Sequence, residues 1–422
     1  MTQQNHWAFR YALPIAALIV SAFVFIIRRP DLITDPAFWA EDGVVWYAQA
    51  YNNGIVSLFW TQAGYYQTIS RIVAYIALYL PMEQAPLILN IAAIAIRSFF
   101  VAFILSPRLR ALPLWVRIIT SIYIMIMPNI TEVHANITNT QWYLALWLLF
   151  TFISDVPNTR LWKIHDIALT ILAGLTGPYI VFLVPVVLLR YVSDADYRAF
   201  AKTTFGRIFL LAFVAVCLVQ FVAILLLSGA KRSHAPLGFS FTVLADILSS
   251  RIFIGAFLSG DQAKSMFSND ATNAVVSIVS LGVLCYAMIK LDWRGRCIIV
   301  FSTVMIGLAL AKPTIHATLP QLPRLSAGSS RYFVITNIAW VAILFLVFDR
   351  VTTGIARTKR ITIAIIPISM MAYFSLKDFW IQPWPKTYWK TQVAEFKALP
   401  TGAVHEFKVN PGWSFKLVKK AN

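Results

Sequence analysis

Apolar residues run along this chain in long blocks separated by short polar ones. The blocks over residues 11–27, 85–105, 115–128, 141–153, 165–176, 178–190, 207–228, 272–289, 297–311, 332–348 and 361–376 have the size and character of membrane-crossing helices. They predict an all-α polytopic membrane protein of about eleven transmembrane helices, with a membrane-embedded domain over 1–376 and a tail over 377–422. Residues 64–80 differ from the blocks. Ile69, Ile72, Val73, Ile76 and Leu80 fall on one helical face and Gln67, Ser70 and Arg71 on another, the pattern of a helix lying in the interface. Gly174, Gly177 and Pro178 interrupt the paired blocks around them. Such breaks are tolerated where freed backbone groups meet protein or water, so they predict the border of a cavity. In the tail, alternation from Ala403 to Val418 around Asn410-Pro411-Gly412 predicts a small β-hairpin that covers the cavity or rests on headgroups.

Composition strengthens the membrane reading. The 422 residues are 59% hydrophobic and only 13% charged, too few charges to keep so apolar a chain dissolved in water. The net charge of +18 raises the question of nucleic acid, but no Lys/Arg cluster sits in a soluble domain large enough to present a binding face. The charge instead reads as topology. Loops holding Arg108, Arg110, Arg160, Lys163, Arg198, Lys202, Arg294, Arg357, Lys359 and Arg360 fall on one side, assigned to the cytoplasm. That register puts the N-terminus inside and the tail outside a bacterial inner membrane. The first apolar run is followed by Arg28-Arg29-Pro30 with no small-residue cleavage pattern, as in an uncleaved first span. Cys217, Cys285 and Cys297 lie in or beside apolar blocks without metal-ligand spacing and read as packing residues, and most of the fourteen tryptophans fit an interfacial aromatic belt.

The candidate chemistry lies in the segments assigned outside. Phe38-Trp39-Ala40-Glu41-Asp42-Gly43 places adjacent carboxylates in an aromatic setting. Such a pair fits a general base, a divalent-cation site, or a solvated turn. Between the third and fourth blocks, Glu132, His134, Asn136, Asn139 and Gln141 form a dense polar group that fits a ligand site; His134 fits a proton carrier, a phosphate-binding cation or a structural residue. Tyr65 and Arg71 join it as substrate-binding candidates. Cations assigned outside form a third group: Lys231, Arg232 and His234, then Arg324 and Arg331. Arginine matches phosphate oxygens bidentately, which suits Arg331 beside Tyr332 as a clamp, and interfacial snorkelling is the competing reading.

These residues resemble the GT-C glycosyltransferases. The likeness is carried by Glu41-Asp42 followed by an interfacial helix in the first outside loop, and by Gly-Tyr-Tyr-Gln-Thr-Ile-Ser-Arg from Gly64. The cluster from Glu132 to Trp142, the pair Arg331-Tyr332 and Asn410-Pro411-Gly412-Trp413 carry it further, over most of the chain. The resemblance implies transfer of a sugar from a polyprenyl phosphate to a surface glycan or glycolipid, with inversion. Glu41 or Asp42 is then the base; Arg331, Arg324, Lys231 and Arg232 meet the donor phosphate; and the lipid tail lies in a groove near Gly174 to Pro178. Glu-Asp stands where many members have Asp-x-Asp or Asp-Glu, and no large folded domain follows the last block, which leaves the divalent cation and the acceptor open. The rival reading is a transporter or flippase for a lipid-linked sugar or another anionic substrate. It requires ionisable relays inside the spans, of which Arg97 is the main candidate. A structural or assembly subunit is the third reading, separated from the others by whether Glu41 and Asp42 tolerate substitution.

Overall fold

The computed structural model describes residues 3–227, 235–266, 268–313 and 318–421. Every apolar block is helical, and several helices start where short polar side chains satisfy their first backbone N–H groups. Thr159 accepts from Trp162, Asn269 from Ala271 and Thr272, and Asp292 from Arg294 and Gly295. Six helices among the described residues are long and apolar enough to cross a membrane: Met82–Ile104, Thr204–Leu227, Asp270–Lys290, Trp293–Ala311, Ser330–Val351 and Thr358–Lys377. Shorter apolar helices, among them Tyr11–Ile27, Leu114–Ile126 and Thr140–Ile153, accompany them. The expectation of about eleven spans thus has a helix at each position, and six of the helices meet the length and composition of a span.

Burial sorts the helices into centre and rim. The most apolar stretch of Ser330–Val351 is 78% buried, whereas that of Thr358–Lys377 is 11% buried. Rim helices turn Leu211, Leu218, Leu225, Ile278, Ile365 and Ile366 outward. An exterior of that kind is stable in lipid, not in water, so the architecture is that of a helical membrane protein.

At the break from Gly174 to Pro178 the freed backbone groups meet protein, and none of these residues lines the cavity beside Glu132. Thr68 N donates to Leu175 O, Gly177 N donates to Tyr66 O, and Gln220 Nε2 donates to the carbonyls of Gly174 and Gly177 at 3.0 and 2.9 Å. Protein groups therefore take up the freed backbone polarity. Gly177 has φ +97°, and a β-carbon there would lie 2.6 Å from the Tyr179 ring, so glycine is needed on both counts.

Residues 31–84, between the first two long helices, form a compact layer with the tail. The interfacial helix is observed at Thr68–Ala77. Its polar side faces inward: Gln67, Ser70 and Arg71 are buried, while Ile76, Tyr79 and Leu80 are exposed. In the tail, strands Val404–Val409 and Trp413–Val418 pair antiparallel with Val409 opposite Trp413, the expected hairpin. Helix Trp389–Ala398 and this hairpin share a core with the first segment, built from Phe38, Tyr47, Trp389, Phe396, Phe407 and Phe415. The tail is packed into the fold. Gly43 marks the tightest contact, since a β-carbon there would stand 3.0 Å from Phe415.

Candidate functional site

Consecutive residues of a helix point about 100° apart, so neighbouring carboxylates at the start of a helical turn are sent to different places. Asp42 opens the π-helical turn Asp42–Tyr47 and is 1% exposed. Its Oδ1 accepts from Thr138 N at 2.9 Å and Thr138 Oγ1 at 2.5 Å, and its Oδ2 from Ile137 N at 3.2 Å. Trp46 Nε1 donates to the same Thr138 hydroxyl at 2.8 Å. Burial pushes the Asp42 carboxyl up to about 7, opposed by the bonds from Thr138 and Ile137. Asp42 thereby ties the first segment to residues 137–138.

Glu41 is half-buried. Burial raises its pKa, Arg331 opposes the rise and Glu132 adds to it, so the three charged groups sense one another. Arg331 Nη1 donates to Glu132 Oε1 at 2.6 Å, while Arg331 N and Ser330 Oγ donate to Oε2 at 3.3 and 3.2 Å. This cluster joins residues 199 positions apart at the edge of a cavity of about 810 Å³. Trp39 and Glu132 line the cavity together with Asp246, Ser250, Arg251 and the serines at 326, 329 and 330. Glu41 and Arg331 stand beside the lining residues and are not part of the wall.

Backbone strain gathers here. Of six non-glycine residues with positive φ, Asn129 (+58°) and Ser329 (+57°) line the cavity, and Ala40 (+40°) separates Trp39 from Glu41. Conformations of this kind persist where the surroundings over-determine them, often at functional positions. At Ala40 the surroundings include the tail: Ala40 N donates to Asn410 O at 2.5 Å, and Asn410 N donates to Phe38 O at 3.3 Å.

Of the other expected site residues, those among the described residues other than Glu132 lie outside the lining of this cavity. His134 is buried, with Nε2 at 2.9 Å from the Phe25 carbonyl, so Nε2 carries the hydrogen; burial and neighbouring arginines push its pKa well down. It is a neutral cross-link, with no charge to offer a phosphate. Asn136 Nδ2 and Asn139 Nδ2 both donate to Glu132 O, at 2.8 and 3.1 Å, which orients the backbone that presents Glu132. Gln141 accepts from Gln67 at 2.8 Å, and Arg71 donates to Gln49 at 2.8 Å and lies over Trp46. Tyr65 sits in the short strand at the helix break and does not line the cavity. Arg324 is exposed on helix Gln321–Ala327, which leads into the serine loop. Lys231 and Arg232 lie outside the described residues. Among the described residues no three His, Cys, Asp or Glu side chains converge as a metal-binding set.

Sequence reasoning passed over Arg251, Asp246 and the serine loop. Arg251 Nη2 donates to Gly328 O at 3.3 Å, its guanidinium lies over Phe333, and its Nε is buried with no partner among the described residues. The available signal was the small polar run Ser326-Ala-Gly-Ser-Ser-Arg331 directly before an apolar block. Arg97, the main candidate for an intramembrane relay, spends its guanidinium on the carbonyls of Ala93, Val133 and Asn136 and on Thr140. No family model, curated protein or solved structure matches this chain.

Proposed function

We propose that this protein is a GT-C-like membrane glycosyltransferase that moves a sugar from a polyprenyl phosphate to a hydroxyl of a cell-surface glycan or glycolipid, on the outer face of a bacterial inner membrane. The observation that carries the reading is the cluster of Glu41, Glu132 and Arg331 at the edge of a polar cavity, with the Glu41 pKa raised by burial. A raised carboxyl pKa suits a general base, and an arginine at the cavity edge suits a departing phosphate.

In this scheme the acceptor oxygen forms a bond to the anomeric carbon as the bond from that carbon to the phosphate oxygen breaks. The bonding pair leaves on the phosphate, and Glu41 takes the hydroxyl proton. Arg331 and Arg251 face the charge that develops on the leaving group. Asp42 is a positioning residue, because its oxygens are already committed to Thr138 and Ile137. Glu41 is therefore favoured over Asp42 as base. The use of Arg97 on backbone carbonyls removes the feature that most favoured coupled transport.

The test is a surface-glycan mass comparison between cells carrying wild type and cells carrying Glu41→Gln, at equal membrane levels. A hexose-sized mass lost with Glu41→Gln supports transfer; an unchanged glycan overturns the role of Glu41. Sidedness is tested apart from chemistry. A cysteine placed at exposed Asn53 should react with an impermeant reagent on intact spheroplasts, and protection there with reaction after lysis would reverse the orientation.

A further inference from the structure

The cavity wall is unusual in one respect: apart from Trp39 and Ala263, its side chains are polar or charged, or are the hydrogens of glycine. A pocket for a lipid tail or another greasy ligand needs apolar walls on several sides. This one sets hydroxyls, carboxylates and a guanidinium among apolar surface that includes the Trp39 indole. The matching ligand has many hydroxyls and one apolar face, and a pyranose ring, with its axial C–H bonds on one side, has that shape.

Trp39 is built as a fixed surface. Its ring stacks on Trp384 at 4.5 Å between centroids, with 22° between planes, and the residue lines the cavity. The Arg29 guanidinium lies 3.5 Å over the Trp384 ring. The backbone of the same strip is held by Asn410 through Ala40 N and Phe38 O, and Asn410 Nδ2 donates to Pro385 O at 3.1 Å, next to Trp384. Two parts of the chain more than 340 residues apart thus fix the angle of one indole. An aromatic face carries negative charge density and attracts polarised C–H bonds, so a pre-oriented indole gives both affinity and a choice of which sugar face it accepts.

We propose that Trp39 is the platform on which a sugar ring stacks in this cavity, and that Trp384 is the positioning residue that sets its angle. The proposal rests on the glycosyltransferase reading only for expecting a sugar in the cell; the platform itself is tested by binding. The probe is a panel of methyl glycosides of common hexoses, pentoses and N-acetylhexosamines, read by saturation-transfer NMR on the full chain purified in detergent. At least one glycoside should receive saturation on its ring C–H protons. Trp39→Ala should weaken that binding by about three- to tenfold, the range of a single aromatic contact, while Trp39→Phe keeps most of it. Trp384→Ala should give a smaller loss that Trp384→Phe restores, which a merely structural role would not predict. If Trp39→Ala lowers the melting temperature, Trp39→Leu, of similar bulk without a π-face, takes its place. Binding unchanged in the folded non-aromatic variant, or no glycoside bound by wild type, overturns the platform. Glycoside binding lost with Trp39→Ala but a glycan unchanged by Glu41→Gln would overturn Glu41 as the base and leave the platform standing; glycoside binding unchanged by Trp39→Ala with a glycan lost in Glu41→Gln would overturn the platform and leave the transferase reading standing.

Discussion

Two polar regions lie side by side in this protein, and they are built on opposite plans. Around Asp42 the carboxyl is fully engaged: its two oxygens take three bonds, Thr138 receives Trp46, and Arg97 holds the carbonyls of the adjoining loop, although Arg97 Nε and two Arg71 nitrogens are buried without a partner among the described residues. Asp42 does not line the cavity. Glu132, by contrast, borders open space. A volume of about 810 Å³ stands open, Arg251 keeps a buried unpaired Nε, and the backbone is strained at Asn129 and Ser329. Buried polar groups are costly in either region, and each keeps buried nitrogens without a protein partner among the described residues, so what separates the two is the open volume. Polarity enclosed by protein holds the fold, and polarity beside open space is where a ligand can complete the bonding.

The sharpest way to break this contrast is to neutralise each of the adjacent carboxylates in turn. Glu41→Gln should lower transfer by about 10²- to 10⁴-fold, the usual worth of a general base, without lowering the melting temperature. Equal rate losses at both positions with no loss of stability would erase the distinction. Next in size, Thr138→Val removes the hydroxyl bond to Asp42, keeps the backbone one, and should cost about 1–3 kcal/mol in denaturant unfolding, with activity per folded molecule unchanged. Loss of the hydroxyl alone leaves Trp46 Nε1 unpaired as well.

A pH series sharpens the contrast further. The Asp42 carboxyl rises from its ordinary 3.8 to about 7 on folding, so the folded state holds this proton more tightly than the unfolded chain. Its contribution to stability is complete below pH 3.8 and is lost as pH rises through about 7. Melting temperature should fall across that window and level off above it. Asp42→Asn should flatten the slope; Glu41, also raised, adds a slope of the same sign that Glu41→Gln removes. The smallest effect is expected at the seam with the tail. Gly43→Ala adds a methyl 3.0 Å from Phe415 and should cost about 1 kcal/mol, seen as earlier proteolysis of the tail; unchanged proteolysis would mean that the tail packs less closely.

Much of the fold was legible because its signal is local. Apolar runs mark the helices wherever they pack, and the alternation around Asn410-Pro411-Gly412 marks the hairpin without reference to its partner. The inward-facing polar side of Thr68–Ala77 was half legible: the two faces were plain, but only Gln49 and the residue 137 carbonyl explain why the polar face is the buried one. The site was less legible because its parts meet across the chain. Glu132 and Arg331 are each visible as charged residues near apolar blocks, yet their pairing at 2.6 Å is a property of the packed helices. His134 looked like chemistry and is a neutral cross-link, since nothing in its neighbours along the chain reveals the Phe25 carbonyl. Arg251 looked like nothing, since an isolated arginine in a polar linker carries no pattern.

The join between residues 38–41 and residues 384–415 has a consequence in time. Ribosomes add roughly 5–20 residues each second, so at least tens of seconds separate synthesis of Glu41 from synthesis of the strands that hold its backbone. During that interval the first helices are already in the bilayer while Trp39 lacks Trp384 and Ala40 lacks Asn410. A nascent chain is therefore inserted before it is competent, and truncated translation products should reach the membrane inactive.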